Sequence, residues 1–197
     1  MSTSKRRKRT YHHGDLRSAT LQAALELLEK QGPDAVSLRE VARRAGVSHN
    51  APYRHFPTRE ALLAALAEQG FRDFAGRMQG AGGPGMGEAY VGFALERPQL
   101  FRLMFGGTLA LGSDPALASA SGAAYAGLVA AFRRRGDVAD PELAAAAAWS
   151  MVHGLAQLIL DGHFQHAVAA AGSRQAFVRS VMGAVRFAAA TRPQRTE

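Results

Sequence analysis

The chain has 197 residues, 47% of them hydrophobic and 20% charged, a balance that excludes a largely disordered chain and a bundle of membrane spans. The absence of cysteine removes disulfides, thiolate-held metals and thiol nucleophiles together. The formal net charge is +8, and eleven basic against five acidic residues up to Phe56 place +6 of it in the first quarter, a field that attracts nucleic acid or an anionic membrane surface.

Residues 1–13 are polar and basic without periodicity and read as a flexible arm. Its five cations from Lys5 to Arg9 suit a solvated tail, or an arm lying along phosphates or in a minor groove. No apolar segment follows, as a secretory signal would require, so a cytoplasmic protein with no membrane partner is expected. A stripe of Leu16, Ala19, Ala23, Ala24, Leu27 and Leu28 predicts an amphipathic helix that stops at Gly32-Pro33. Ser37-Leu38-Arg39-Glu40 has the form of a capping box and opens a second helix with Leu38, Val41, Ala42 and Ala45 inward, ended by Gly46. Ser48 is placed to cap a third short helix closing on Phe56. Pro52 is expected to push Ala51 away from the α region. Pro57-Thr58-Arg59-Glu60 opens a fourth helix that runs on to Phe74.

Residues 80–87, Gly-Ala-Gly-Gly-Pro-Gly-Met-Gly, predict a linker or a disrupted helix. Helical periodicity returns over 88–105, 114–135, 141–161 and 173–191, and no period-two alternation is seen. The fold class is therefore all-α.

Residues 37–56 combine a capped helix, a glycine turn and a second short helix, the pattern of a helix-turn-helix whose second helix enters a major groove. His49, Asn50, Tyr53 and Arg54 are its polar outward positions, all able to hydrogen-bond to bases or phosphates. Phe56 reads as core. A solvated αα-hairpin is the alternative.

The stretch Leu16–Phe74, with its Ala-Gly-Val-Ser turn, Tyr53-Arg54-His55-Phe56 and the Pro57-Thr58-Arg59-Glu60-Ala61-Leu62-Leu63 entry, resembles the DNA-binding domain of TetR-type transcriptional regulators. Trp149-Ser150-Met151-Val152-His153-Gly154, preceded by residues 89–94 and 98–105, resembles the subgroup whose ligand domain bears a Trp-x-x-x-His-Gly signature. The resemblance implies a basic arm at 1–13, a homeodomain-like three-helix domain at 14–74, and a long helix leading to a ligand-binding and dimerisation domain at 75–197. It implies a homodimer that binds a pseudo-palindromic operator in double-stranded DNA and leaves it when an unidentified small-molecule effector enters. Carried over by position, Arg39 reaches a base or phosphate, and His49, Asn50 and Ala51 face base edges. Tyr53, Arg54, His55 and Arg59 hold phosphates, and Ser48 joins them or only caps its helix. The segments 141–161 and 173–191 resemble the family's dimerising pair. Non-specific, architectural DNA binding is the alternative function.

Trp149 and His153 are one helical turn apart and share a face. With Phe101, Met104 and Phe105 they form a candidate apolar effector pocket holding one titratable group, although residues of these types at this spacing also suit a core. Arg133-Arg134-Arg135 closes a helix, where cations meet the negative end of its dipole. His163 and His166 have no third ligand in pattern, so no metal is expected. No catalytic set of hydroxyl, imidazole and carboxylate is recognisable, nor a phosphate-cradling loop, and neither enzyme activity nor a cofactor is expected.

Overall fold

The computed structural model describes residues 13–112 and 114–185, and the regular structure among them is helical. The helices are α1 (His13–Gln31), α2 (Leu38–Ala45), α3 (Arg59–Glu96), α4 (Pro98–Phe105), α5 (Pro115–Arg135), α6 (Pro141–Leu160), α7 (Gln165–Ala170) and α8 (Arg174–Ala184). Short 3-10 turns occupy Pro33–Ala35 and Pro52–Arg54. The chain divides into two compact units between Leu66 and Ala67, inside α3. The basic run Lys5 to Arg9 lies outside the described residues, as does the expected last stretch of α8 beyond residue 185.

In the first unit, α1 buries Leu21, Ala23, Ala24, Leu27 and Leu28 against Leu38, Val41 and Ala42 of α2, with Val36, Phe56, Leu62 and Leu63 completing the core. Full burial of each leucine contributes about 1.5–3 kcal/mol. Thr20 is the buried polar residue here, and its hydroxyl donates to the Leu16 carbonyl at 2.7 Å. Gly32 ends α1 at φ 81°, a conformation glycine alone adopts at no cost. Ser37 caps α2 by accepting from the Glu40 amide at 3.2 Å. The other half of the expected capping box is not made: the Glu40 carboxylate binds Arg43 at 2.8 and 2.5 Å. That guanidinium lowers the Glu40 pKa below its ordinary value. Gly46, left-handed at φ 68°, closes α2, and the Val47 amide donates back to the Ala42 carbonyl at 3.0 Å.

The expected helix over 48–56 is reduced to a turn. Pro52 has no amide to offer the Ser48 carbonyl, and the Ala51 amide takes that acceptor at 2.9 Å in a tighter pattern. Ala51 itself is α-like at φ −63° and ψ −44°, against the expectation that Pro52 would exclude it from that region. The turn ends with the His55 and Phe56 amides both on the Pro52 carbonyl at 3.0 and 2.9 Å.

In the second unit the glycine-rich stretch is mostly helical. Only Gly82 leaves helical geometry, at φ 68° and ψ 176°, and Pro84 falls in the first turn after this break, where a missing amide is tolerated. The remaining glycines are helical despite their low helix propensity. At Gly87 a Cβ would lie 2.5 Å from Met182 Sδ, so α8 crosses here at a distance that no side chain allows. The expected helix over 88–105 is two helices, because Arg97 turns out of helical geometry (φ −133°, ψ 64°) before Pro98. Asp114, Asp140 and Ser173 cap α5, α6 and α8 through their side chains, and α5 and α6 begin on proline. The short α7 was not expected from periodicity.

Candidate functional site

Two sets of residues carry the sequence-derived roles, one in each unit. In the first unit Arg39, Ser48, His49, Asn50 and Arg54 are exposed, and Tyr53 is 50% exposed. Arg39 and His49 border one shallow depression together with Ser37 and Arg43, so the outer side of α2 and the turn after it present a shared polar face. Ser48 makes no side-chain cap of the 3-10 turn. Ala51 is half-buried and Pro52 buried, which anchors the turn while its polar neighbours point outward. Arg44 joins α2 to α1 through Glu26 at 3.3 Å.

Two expected phosphate contacts are placed differently. Arg59 Nε donates to the Val36 carbonyl at 2.8 Å and Nη2 to the Pro33 carbonyl at 2.6 Å. Its guanidinium thus ties the start of α3 to the segment after α1, adding a second donor to the Pro33 carbonyl, which already accepts from the Val36 amide at 3.1 Å. His55 is half-buried, with its Nε2 enclosed and without a hydrogen-bond partner among the described residues, and its ring lies beside Phe56 at 6.3 Å. Phe56 is 2% exposed, and the Arg17 guanidinium lies 5.5 Å from its ring centroid.

In the second unit a cavity of about 330 Å³ opens between α3, α5, α6 and α8. Phe71, Phe74, Tyr90, Phe105, Tyr125 and Trp149 supply aromatic surface, and Met78, Met86, Met151 and Met182 supply adaptable thioether walls. The space exists because α5 presents Ala123, Ala124, Gly127 and Ala131 along it. Exposed Gln79, Gly82, Gly83, Arg134 and Arg135 mark the solvent side. The single break of α3 therefore lies at the mouth of this cavity.

Of the five residues expected to line a pocket, Phe105 and Trp149 do so. Phe101 and Met104 are 0% and 1% exposed and belong to the core behind Phe105. At Gly70 a Cβ would meet Met104 Sδ at 2.7 Å, which shows how closely α4 is seated there. His153 stands one layer behind the wall, with its ring 5.3 Å from Phe105 and 5.4 Å from Phe101.

The residue that organises this wall is Tyr90. Trp149 Nε1 donates to its hydroxyl at 2.9 Å, and the hydroxyl lies 2.9 Å from His153 Nδ1. Burial raises the Tyr90 pKa above its ordinary value and lowers that of His153. The phenol accordingly stays protonated beside a neutral imidazole, and its O–H is placed to donate a hydrogen bond to Nδ1, the arrangement that goes with the Nε2-protonated tautomer. In the sequence Tyr90 is marked only by its place in the segment 89–94. Its position one turn after Met86, on a helix carrying Phe93 and Ala94 inward, was the available signal.

Among the described residues no group of three or more His, Asp or Glu side chains is arranged to hold a metal ion. Arg133 and Arg135 pair with Glu142 and Asp137 at 2.9 and 2.8 Å, which accounts for two of the three cations ending α5. The exposed positions of α6 are Glu142 in its first turn, then Leu143 (68% exposed), Ala146, Ala147, Ser150 and Leu158 (40%), a stripe of small or apolar residues in which the Ser150 hydroxyl turns back to the Ala146 carbonyl. By length and composition α5 and α6 are apolar enough to cross a membrane, a property that α6 owes to this stripe together with its buried face.

Comparison with known proteins agrees with both halves. Residues 21–66 match the family of bacterial regulatory proteins of the tetR type, and residues 84–190 match the tetracyclin repressor-like C-terminal domain. An HTH-type transcriptional repressor of Mycobacterium tuberculosis is 38% identical over 63 residues, 32% of this chain and 34% of that protein. The tetracycline repressor of class A from transposon 1721 of Escherichia coli is 45% identical over 51 residues, 26% of this chain and 24% of that protein. The match thus spans about a third or less of the length of these curated relatives. Among solved structures, a protein of unknown function from Rhodococcus sp. RHA1 aligns with TM-score 0.75 and 34% identity over 89% of this chain and 96% of that one. A tetR-family transcriptional regulator from Streptomyces coelicolor aligns with TM-score 0.64 and 26% identity over 86% of this chain and 77% of that one.

Proposed function

Since the chain belongs to the TetR family of bacterial regulators, we propose that it is a cytoplasmic, sequence-specific DNA-binding repressor, without enzymatic activity, that a small molecule releases from its operator. The observation that carries this reading is the exposed set Arg39, Ser48, His49, Asn50, Tyr53 and Arg54, held by the capped α2, the Gly46 turn and the buried Pro52. Asparagine suits adenine, arginine suits guanine or phosphate, and histidine and tyrosine supply further hydrogen bonds. Arg39 and His49 read or position from one face, and Tyr53 and Arg54 hold phosphates. Arg59 is left out of the contact set because its donors serve backbone carbonyls.

The apolar stripe on α6 supports a homodimer, with Leu143 and Leu158 covered by a second copy. A two-fold dimer places two recognition turns on half-sites about one or more helical turns apart. The cavity in the second unit is the effector site of this reading. Its occupant would touch Phe71, Phe74 and Met78, and the same helix begins at Arg59, so α3 is a continuous covalent route from cavity to recognition unit.

The test is selection of bound duplexes from a random library, followed by titration of the enriched sequence and a scrambled one at two salt concentrations. A palindromic consensus with a high specificity ratio is expected. Salt-sensitive binding with a ratio near one would leave an architectural DNA-binding protein instead.

A further inference from the structure

We propose that the ligand of the second-unit cavity is an amphipathic monoanion: a hydrophobic carboxylate whose apolar body fills the aromatic and methionine space and whose carboxylate meets Arg134. The inference rests on the reading of this cavity as the effector site. At about 330 Å³ it lies at the small end of such sites and accepts a ring with a short chain.

Three observations select the charge. The charged side chains lining the cavity are Arg134 and Arg135, and no carboxylate lines it among the described residues. Arg135 is already engaged, since Asp137 binds it at 3.0 and 2.8 Å, whereas Arg134 has no ion-pair partner among the described residues. Inside, the Tyr90 hydroxyl and the Trp149 indole are taken up with each other and with His153, which leaves the Gln79 amide at the mouth as the neutral side-chain partner and Arg134 as the charged one. A cationic ligand would find no counter-charge and two guanidiniums at its entrance. An anion gains a charge-assisted hydrogen bond at the mouth and loses little hydration, since Arg134 is exposed.

Trp149 is the one tryptophan in the chain and lines the cavity, so indole emission of the full-length protein reports occupancy directly. The probes are 4-phenylbutyrate, 4-phenylbutan-1-ol and 4-phenylbutylamine, which share a skeleton and differ in charge. The acid should bind about fivefold more tightly than the alcohol, the scale of an exposed ion pair, and the amine most weakly. Arg134→Gln should bring the acid to the level of the alcohol, while Arg134→Lys keeps most of the preference. An acid that binds no better than the amine or alcohol, or an acid preference that survives Arg134→Gln, overturns the anion assignment and leaves the cavity a ligand site. If no probe alters Trp149 emission or the melting temperature, the effector-site reading falls and this inference with it.

Discussion

Tyr90 and His153, sixty-three residues apart in sequence, are joined at 2.9 Å through the phenol oxygen and Nδ1, with Trp149 Nε1 donating to the same oxygen. One hydroxyl thus meets two ring nitrogens from α6, and this part of the cavity wall is fixed by it. Tyr90→Phe keeps the ring contacts to Phe74 and Phe101 but strands both nitrogens. A loss of about 1–3 kcal/mol in unfolding free energy is expected by chemical denaturation. A change below about 0.5 kcal/mol would mean that the chain of hydrogen bonds contributes little net stability.

Burial also sets a pH dependence. The His153 pKa is lowered in the folded protein, so as pH falls through the ordinary histidine value the unfolded chain takes up the proton first. The contribution of this group is complete above about pH 6.5 and is lost as pH falls below it toward the folded value. Denaturation midpoints of wild type should fall more between pH 7.5 and 5 than those of His153→Gln. Parallel curves would assign the pH dependence to other groups.

Arg59 and Arg54 should separate a structural cation from a phosphate contact. Arg59→Ala breaks two hydrogen bonds to carbonyls and should destabilise the fold by about 1.5–3 kcal/mol. Below its melting point it should leave the salt slope of DNA binding unchanged. Arg54→Ala should do the reverse, leaving stability near wild type and reducing the slope by about one unit. A lowered slope in Arg59→Ala would return that residue to the phosphate set.

Asn50 and His49 are the positions where a base contact should show as altered specificity. Alanine at either should cost about 1–3 kcal/mol on the selected operator and relax preference at one base position per half-site. Uniform weakening on operator and random DNA, measured by competition, would identify backbone contacts instead.

The two neighbouring glycines at the cavity mouth should respond with opposite signs. Gly82→Ala forces a side chain into φ 68° and ψ 176° and should cost about 1–3 kcal/mol. At Gly83, within the helical part and with open space at its Cβ position, alanine should stabilise by about 0.5–1 kcal/mol. Equal effects in thermal melts would place the break of α3 elsewhere.

Local signals decided a good deal by themselves. The Leu16–Leu28 stripe, the Ser37 cap, the Gly46 stop and the Asp-Pro starts of α5 and α6 depend on residues within a few positions of one another, and each appears in the fold. The exposed polar face of the first unit follows from similarly short-range signals, since Arg39 lies on the outer side of α2 and Ser48, His49, Asn50, Tyr53 and Arg54 surround a turn anchored by the buried Pro52 among them. Even there, the Pro52 turn shortened what periodicity read as a helix, since a single absent amide changed the hydrogen-bond pattern.

The cavity was decided elsewhere. Whether Phe101, Met104 or Tyr90 faces empty space depends on which helix lies opposite, and all three sit on inward faces with the same periodicity. Only the packing of α3, α4 and α6 puts Phe101 and Met104 into the core and Tyr90 between Trp149 and His153. The use of Arg59 has the same origin, because the carbonyls it serves lie 23 and 26 residues away and come within its reach only through the tertiary fold. The glycine-rich stretch is helical except at Gly82, against a local preference of about 1 kcal/mol per glycine; at Gly87 the close approach of Met182 from α8 accounts for the residue, whereas Gly80 and Gly83 are exposed and face open space.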